Sequence, residues 1–261
     1  MQNSFLSLFE KMSLRGSYVG GAFQRLVAAE YVLAPAADPE AIKLYPLLAQ
    51  KVLQQQRQLG SKFNFVSTME DPYASMKQLS ASIKDQRQSG VRKPDVKVLA
   101  APPKGGHPAL SNDQNTMLRG VHDIIAHYYG QHPFSARGEY SAYNRHLRTL
   151  PKAVAPILFT EIVGQTSVYK VYGDYTVQKA AFLSDFDPFN IGQLSPNSRL
   201  NQWFVLKDKV LQPVPGFKWA EFAKAFPPLA AELSKQPKFN PQEWENYSSE
   251  IDPSVSRRTK L

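Results

Sequence analysis

Histidines and two glutamates are concentrated in one stretch of the sequence. All five histidines lie between positions 107 and 146, namely His107, His122, His127, His132 and His146. Glu139 and Glu161 follow the first four of them and interrupt apolar patterns with helical spacing. Imidazoles and carboxylates brought together from neighbouring helices are what a metal site in a helical protein requires. The stretch therefore indicates metal chemistry, although it does not indicate a substrate.

The composition narrows the ligands that such a site could use. The chain has no cysteine, which excludes disulfides, thiolate ligands and a cysteine nucleophile. A metal ion would have to be held by nitrogen and oxygen atoms alone. The absence of cysteine also agrees with a reducing compartment.

The chain is basic, with a net charge of +9 from 31 Lys and Arg against 22 Asp and Glu. Such a balance favours contact with nucleic acid or another anionic surface. The positive residues are nevertheless spread along the chain without a dense block or a known nucleic-acid-binding motif, so general basicity is the better explanation of the charge. No apolar run approaches the roughly 20 residues needed to span a bilayer. The N-terminal sequence is not typical of a secretion signal, and we expect a soluble, unprocessed protein.

Three predicted helices would have to position the candidate ligands. The apolar spacing predicts helices over Asn115–Tyr129, Ala136–Arg148 and Ala153–Tyr172. Upstream, Phe63–Ser67 and Asp95–Ala101 have the alternation of short strands. These elements predict a mostly α (α+β) fold, a single helical domain with two or three minor strands.

The domain is expected to cover residues 1–235, with the site-bearing core at about 95–175. Residues 236–261 then form a C-terminal extension. Further helices are predicted over 38–60, from the Asp71-Pro72 cap to Gly90, over Arg199–Leu211, and, interrupted by proline, over Lys218–Ser234.

Glu161 lies in the apolar stripe of the third of these helices, one turn before Gln165. A carboxylate on a core-facing stripe is costly to bury unless it is paired or bound to a cation. Two explanations are open: Glu161 is a metal ligand, or it forms an ion pair with an arginine of a neighbouring helix such as Arg119 or Arg145.

His122 and His127 are five residues apart on the first helix. On a straight α-helix they would point about 140° apart. They can bind one metal ion only if the helix ends or distorts between them, and the Tyr-Tyr-Gly sequence that follows is compatible with an ending. Otherwise they are two separate core histidines.

The second helix carries Glu139 and His146 on one face, seven residues apart, with Tyr143 between them. They are candidates for additional ligands or for groups that orient the imidazoles. Asp123, next to His122, has the same two possible roles.

The segments HDIIAH and ILFTEIVGQ together resemble the iron site of the pterin-dependent aromatic amino acid hydroxylases. That family carries His-Glu-x-x-Gly-His on one helix and Phe-Thr-x-Glu-x-Gly on another. The resemblance implies a similar helical core and a two-histidine, one-carboxylate Fe(II) site made of His122, His127 and Glu161, with open positions for dioxygen.

The match departs from the family pattern at several positions. Asp123 stands where the family has glutamate, Ala126 replaces its glycine, and the residue between Thr160 and Glu161 is missing. No segment resembles the part that stacks on pterin. The resemblance therefore implies a metal rather than pterin.

The pattern VHD…H…GEY…AY…H…TE..GQ also resembles a group of uncharacterised proteins from tailed bacteriophages. This resemblance implies a protein of the infected cell's cytoplasm or of the virion, with other virion proteins or DNA as partners.

Three functional hypotheses result. The first is a mononuclear non-haem Fe(II) protein, a monooxygenase-like enzyme for a small-molecule substrate, in which His146, Gln165 and Tyr143 surround the ligands. The second is a Zn(II) hydrolase with Asp123 or Glu139 as general base. The third is a phage structural or DNA-associated protein whose histidines form a hydrogen-bonded core.

Overall fold

The structure, a computed structural model, describes residues 21–101, 106–208 and 210–249. Within these ranges it is mainly helical and has two sheets of two strands each, which confirms the predicted mostly-α class. None of the helices in the described ranges is long and apolar enough to cross a membrane.

The α-helices occur in the following order: α1 (21–33), α2 (Pro39–Ile42), α3 (Tyr45–Leu59), α4 (Met76–Gln88), α5 (Asn112–His122), α6 (Ala136–Leu147), α7 (Ala155–Phe159), α8 (Gln165–Tyr172), α9 (Trp219–Ala225), α10 (Pro227–Lys235) and α11 (Pro241–Ser249). The strands are β1 (Asn64–Thr68), β2 (Asp95–Leu99), β3 (Phe204–Lys207) and β4 (Val210–Pro213). Two π-helical segments, Asp123–Tyr128 and Thr160–Gly164, continue α5 and join α7 to α8, respectively. Short 3₁₀ turns cover Lys152–Val154 and Arg199–Gln202.

The chain divides into two compact units that are not consecutive in sequence. One unit holds residues 34–170 and 175–183, and the other holds the chain up to residue 33, residues 171–174 and the chain from residue 184. All candidate ligands belong to the first of these, which we call the histidine unit. The extension proposed for residues 236–261 stays a prediction, and its last residues, 250–261, lie outside the described ranges.

The small sheet of the histidine unit is the support for α5. Strands β1 and β2 pair in parallel, with Asn64 opposite Asp95 and Phe65 opposite Val96. Alternate side chains of β2 are buried, as the apolar pattern predicted. A Cβ atom at Gly120 of α5 would lie 2.8 Å from Val98 Cγ2 and 2.9 Å from a ring atom of Phe65. Glycine therefore lets α5 approach the sheet closely.

Polar caps set the starts of the helices that carry the site. The Ser111 hydroxyl accepts a hydrogen bond from Gln114 N, and the Gln114 side chain accepts one from Ser111 N, which completes a capping box for α5. Ser135 caps α6 through Gly138 N. Helix α4 begins later than predicted, because its cap is Ser75 and not Asp71.

The other unit contains a hairpin where a helix was predicted. Arg199–Gln202 forms a 3₁₀ turn, and β3 then pairs antiparallel with β4. Asp208 begins the connection with φ +50°, a conformation that aspartate tolerates better than most residues. Aromatic packing overrides the helical spacing, because Phe204 packs edge-on against Trp244 with 5.2 Å between ring centroids.

Candidate metal centre

The helix that carries His122 and His127 distorts between them. Beyond α5 the chain forms π-helical turns, in which Tyr129 N donates to Ile124 O and His132 N donates to His127 O, each across five residues. A five-residue spacing is about one turn of a π-helix, so the two imidazoles fall on the same face. Their ring centroids are 4.9 Å apart with an 84° angle between the planes.

Glu139 completes the cluster from the first turn of α6. Its Oε2 atom lies 3.2 Å from His127 Nε2 and 3.5 Å from His122 Nε2. The ligand atoms of the three residues all lie within 4.8 Å of one another. Both imidazoles are buried and the carboxylate is half-buried. Within the described ranges this is the group of His, Asp and Glu side chains that could hold a metal ion.

A chain of hydrogen bonds assigns the tautomer of His122. Thr149 Oγ1 donates to the carbonyl oxygen of His146, so it accepts from Gln55 Nε2 at 2.8 Å. The amide oxygen of Gln55 then faces His146 Nε2 at 3.2 Å and accepts its proton. His146 Nδ1 is left with a lone pair and accepts from His122 Nδ1 at 3.2 Å. His122 Nε2 consequently carries no proton in the neutral ring.

A single hydrogen bond assigns the tautomer of His127. Its Nδ1 atom donates to the carbonyl oxygen of His132 at 2.8 Å, so the lone pair of the neutral ring is at Nε2. Phe134 packs edge-on against the ring at 4.5 Å and limits its rotation. This outer bond is the kind that orients metal-binding histidines.

With both rings neutral, the three groups meet with electron pairs and no proton between them; when His127 takes up a proton, its Nε2–H donates to Glu139 Oε2 at 3.2 Å. His122 Nε2 is buried and has no hydrogen-bond partner, which is costly for a polar atom unless something binds it. Two lone pairs and one carboxylate oxygen around a common point fit a cation with nitrogen and oxygen ligands.

The pKa shifts show a competition between a cation and a proton at this point. Burial would lower the pKa of His127, but the adjacent Glu139 carboxylate raises it overall. Burial lowers the pKa of His122. Burial would raise the pKa of Glu139, yet the two imidazoles bring it down to about 2. Glu139 is thus ionised at neutral pH, and the proton that a metal ion must displace is on His127.

Two glycines allow tight local packing, one at the end of the π-helix and one in the first turn of α6. A Cβ atom at Gly130 would lie 2.0 Å from the Ala126 carbonyl oxygen, and one at Gly138 would lie 1.9 Å from that of Pro133. Neither glycine has a positive φ, so space and not backbone conformation requires them. A Cβ atom at Gly130 would also lie 2.7 Å from Arg145 Cδ of α6, so this glycine lets the end of the π-helix lie close to α6.

Glu161 lies elsewhere, which corrects its predicted place beside His122 and His127. Its Oε1 accepts hydrogen bonds from Tyr45 Oη at 2.5 Å and from His107 Nε2 at 2.8 Å, and its Oε2 accepts one from Gln165 Nε2 at 2.8 Å. The carboxylate is buried, as its position on the apolar stripe indicated.

Neither explanation offered for the buried Glu161 describes its contacts. His107 Nδ1 accepts from the backbone N–H groups of Ala109 and Leu110, so its proton is at Nε2 and the ring is neutral. The arginines considered as partners donate instead to backbone carbonyls, Arg119 to Leu99 and Arg145 to Ile125. Three neutral donors satisfy the charge, and this is how a carboxylate can be buried without a counter-ion.

The other predicted site residues occupy distinct positions. His146 contacts His122, and Gln165 contacts Glu161, as described above. Tyr143 is buried and donates to the Ala155 carbonyl oxygen at 3.2 Å. Asp123 is half-buried, and burial raises its pKa to about 7.

Sequence reasoning missed Gln55 and Thr149, which assign the tautomer of His122. Gln55 is separated from His146 by 91 positions. The available signal was a glutamine on the buried face of the predicted helix over 38–60, within the QQQRQ segment. That signal indicates burial but does not identify a partner.

Comparisons with known proteins do not support the metal centre, so the support for it comes from its geometry. No protein-family model matches the chain, and neither a curated protein nor a solved structure shows a significant match to it. The resemblances to the aromatic amino acid hydroxylases and to phage proteins are therefore not supported. What the chain has is a His-His-Glu cluster that could bind a metal ion of undetermined identity.

Proposed function

We propose that this chain is a mononuclear metalloprotein whose metal ion is held by His122, His127 and Glu139. The observation that carries the proposal is the convergence of two Nε2 atoms on one carboxylate oxygen, at 3.5 Å and 3.2 Å, with the buried His122 Nε2 lacking a hydrogen-bond partner. A purely structural hydrogen-bonded core would pair every buried polar atom, whereas His122 Nε2 faces no donor. At His127 a proton on Nε2 would pair with Glu139, and this is the proton that a metal ion would displace.

We propose Fe(II) as the metal and oxidation of a small organic molecule as the reaction. Two imidazoles and one carboxylate, with coordination positions left open, are typical of non-haem Fe(II) oxygenases. When bound, Fe(II) would supply the activation of dioxygen. Zn(II) accepts the same ligand set and would instead activate water for hydrolysis.

The residues of the chain would do three things in this reaction. Glu139 would neutralise one of the two charges of the ion, while the His146–Gln55 bonds keep the His122 lone pair aimed at it. Burial of both imidazoles would exclude bulk water from one side of the centre. The remaining exposed part of the Glu139 side chain, 17%, leaves a path from solvent.

Paired glutamine variants test the site. Glu139→Gln and Glu161→Gln are the same substitution at two buried or half-buried carboxylates of the histidine unit. Protein purified without chelator, or loaded anaerobically with Fe(II), is analysed for bound metal by elemental analysis. We expect one equivalent in the wild type and in Glu161→Gln, and loss of the metal in Glu139→Gln. The reverse pattern would restore Glu161 as the ligand and refute the proposed set.

Metal identity is tested by competition. The metal-free protein is offered equimolar Fe(II) and Zn(II) without oxygen, and uptake of dioxygen by the Fe(II) form is then followed with candidate substrates. Failure of the wild type to bind either ion would refute the metalloprotein proposal. The cluster would then be a polar core, as the phage structural hypothesis requires.

A further inference from the structure

An open cleft of the histidine unit lies between α4 and the end of the Asp123–Tyr128 π-helix. It has a volume of about 620 Å³. Lys84 and Arg87 of α4 line one side, and Tyr128, Tyr129 and Gln131 line the other. We call it the α4 cleft.

The charged side of the α4 cleft is unneutralised. Lys84 and Arg87 are exposed, and in the described ranges neither forms an ion pair with a carboxylate. The segment 76–93 carries five basic residues and one acidic residue. Arg87 uses one donor on Tyr128 Oη at 3.3 Å, and a guanidinium has four more.

The aromatic side presents a ring that its neighbours hold in place. Tyr129 is 41% exposed. Its ring packs against Tyr128 at 5.2 Å and against the buried Phe63 at 6.1 Å. Arg87 lies over the other side of this group, 5.4 Å from the Phe63 ring. An exposed ring held in this way is available for stacking without a large loss of conformational entropy.

We propose that the α4 cleft binds single-stranded nucleic acid, with phosphates on Lys84 and Arg87 and a base stacked on Tyr129. Positive charge that follows the backbone, beside an aromatic ring that stacks a base, is the common plan of proteins that bind single strands. A small-molecule site would be more enclosed than this open cleft. The proposal is independent of the metal centre, since none of the three ligands lines the cleft.

Fluorescence anisotropy with a labelled 12-nucleotide oligo-dT tests the proposal, at low salt and in the presence of EDTA. Tyr129→Leu should weaken binding at least about fivefold, because stacking contributes roughly 1–3 kcal/mol per base. Lys84→Gln with Arg87→Gln should also reduce the slope of log K against log salt by about 1.4, since each phosphate contact on a single strand contributes about 0.7.

Matched control variants remove a similar charge and a similar aromatic ring outside the α4 cleft. Lys224→Gln removes an exposed helical lysine of the other unit, and Phe189→Leu removes a ring that is 48% exposed. Both should leave the affinity within about twofold of the wild type, and melting curves should show that all variants fold. Equal losses in the controls, oligo-dT binding that Tyr129→Leu leaves unchanged, or no binding by the wild type would each overturn the proposal. Binding of dTMP as tight as that of the 12-mer would overturn it in favour of a mononucleotide site.

Discussion

Two carboxylates of the histidine unit, both next to histidines and both near π-helical turns, have opposite surroundings. Glu161 receives hydrogen bonds from Tyr45, His107 and Gln165. Glu139 faces two Nε2 atoms, each of which carries a lone pair when its ring is neutral. The count of protons, and not the type of residue, separates a satisfied core carboxylate from a candidate metal ligand.

The difference shows what to look for when histidines and glutamates cluster. At Glu161 the outer nitrogen of the histidine accepts from backbone N–H groups, so the inner nitrogen donates. At Glu139 the outer nitrogens donate, so the inner ones are lone pairs. The hydrogen bond on the far side of an imidazole therefore decides whether the near side serves a carboxylate or a cation.

The largest expected effect is on stability at the satisfied carboxylate. Glu161→Ala would remove the carboxylate acceptor of the buried Tyr45 and His107 and of the half-buried Gln165, at roughly 1–3 kcal/mol for each donor that stays unsatisfied. We expect a loss of at least about 3 kcal/mol in the free energy of unfolding, measured by urea denaturation. Glu221→Ala, at an exposed position of α9, should change it by less than about 0.5 kcal/mol. Equal effects would mean that the Glu161 network is not formed.

Removal of the metal ion should lower the stability of the protein only when Glu139 is present to bind that ion. A metal ion at a hundredfold excess over its dissociation constant stabilises the folded chain by about 2.7 kcal/mol. EDTA should therefore lower the melting temperature of the wild type and leave that of Glu139→Gln unchanged. A melting temperature indifferent to EDTA and to added Fe(II) or Zn(II) would contradict the distinction drawn between the two carboxylates.

Gln55→Leu should weaken metal binding about 10- to 100-fold without removing a ligand. It deprives His146 Nε2 of its acceptor, so the His122 lone pair is no longer held at Nε2. Gln55→Glu keeps an acceptor there and should retain most of the affinity. Gln54→Leu changes an exposed neighbour and serves as the control. Isothermal titration with Zn(II) measures all three, and similar losses in Gln55→Leu and Gln54→Leu would refute the tautomer assignment.

The smallest effect is the pH dependence of metal binding. The raised pKa of His127 means that its proton stabilises the metal-free fold at low pH, a contribution lost as pH rises through that pKa. Because the metal must displace this proton, its affinity should rise up to about tenfold per pH unit and level off above the His127 pKa. Glu139, with a pKa of about 2, adds nothing between pH 5 and 8. A flat affinity from pH 5 upward would show that no proton competes.

Local patterns in the sequence determined a large part of the fold. The two short strands, the helices that carry the histidines and the burial of Glu161 all follow from the spacing of apolar residues. That spacing reports which face of an element leaves water. The five-residue interval between His122 and His127 also indicated that the two imidazoles could share a metal ion only if the helix were distorted between them. The π-helical turns provide that distortion.

Only the tertiary structure decided which carboxylate joins the histidines. Tyr45 reaches Glu161 across 116 positions of sequence, and Gln55 reaches His146 across 91. The close approach of α6 to the end of the π-helix depends on the space at Gly130, where a Cβ atom would lie 2.7 Å from Arg145 Cδ. Burial is a property of an element's own periodicity, whereas the partner of a buried polar atom depends on packing between distant elements. The sequence could therefore predict that Glu161 is buried, but it could not show that three hydrogen-bond donors satisfy its carboxylate.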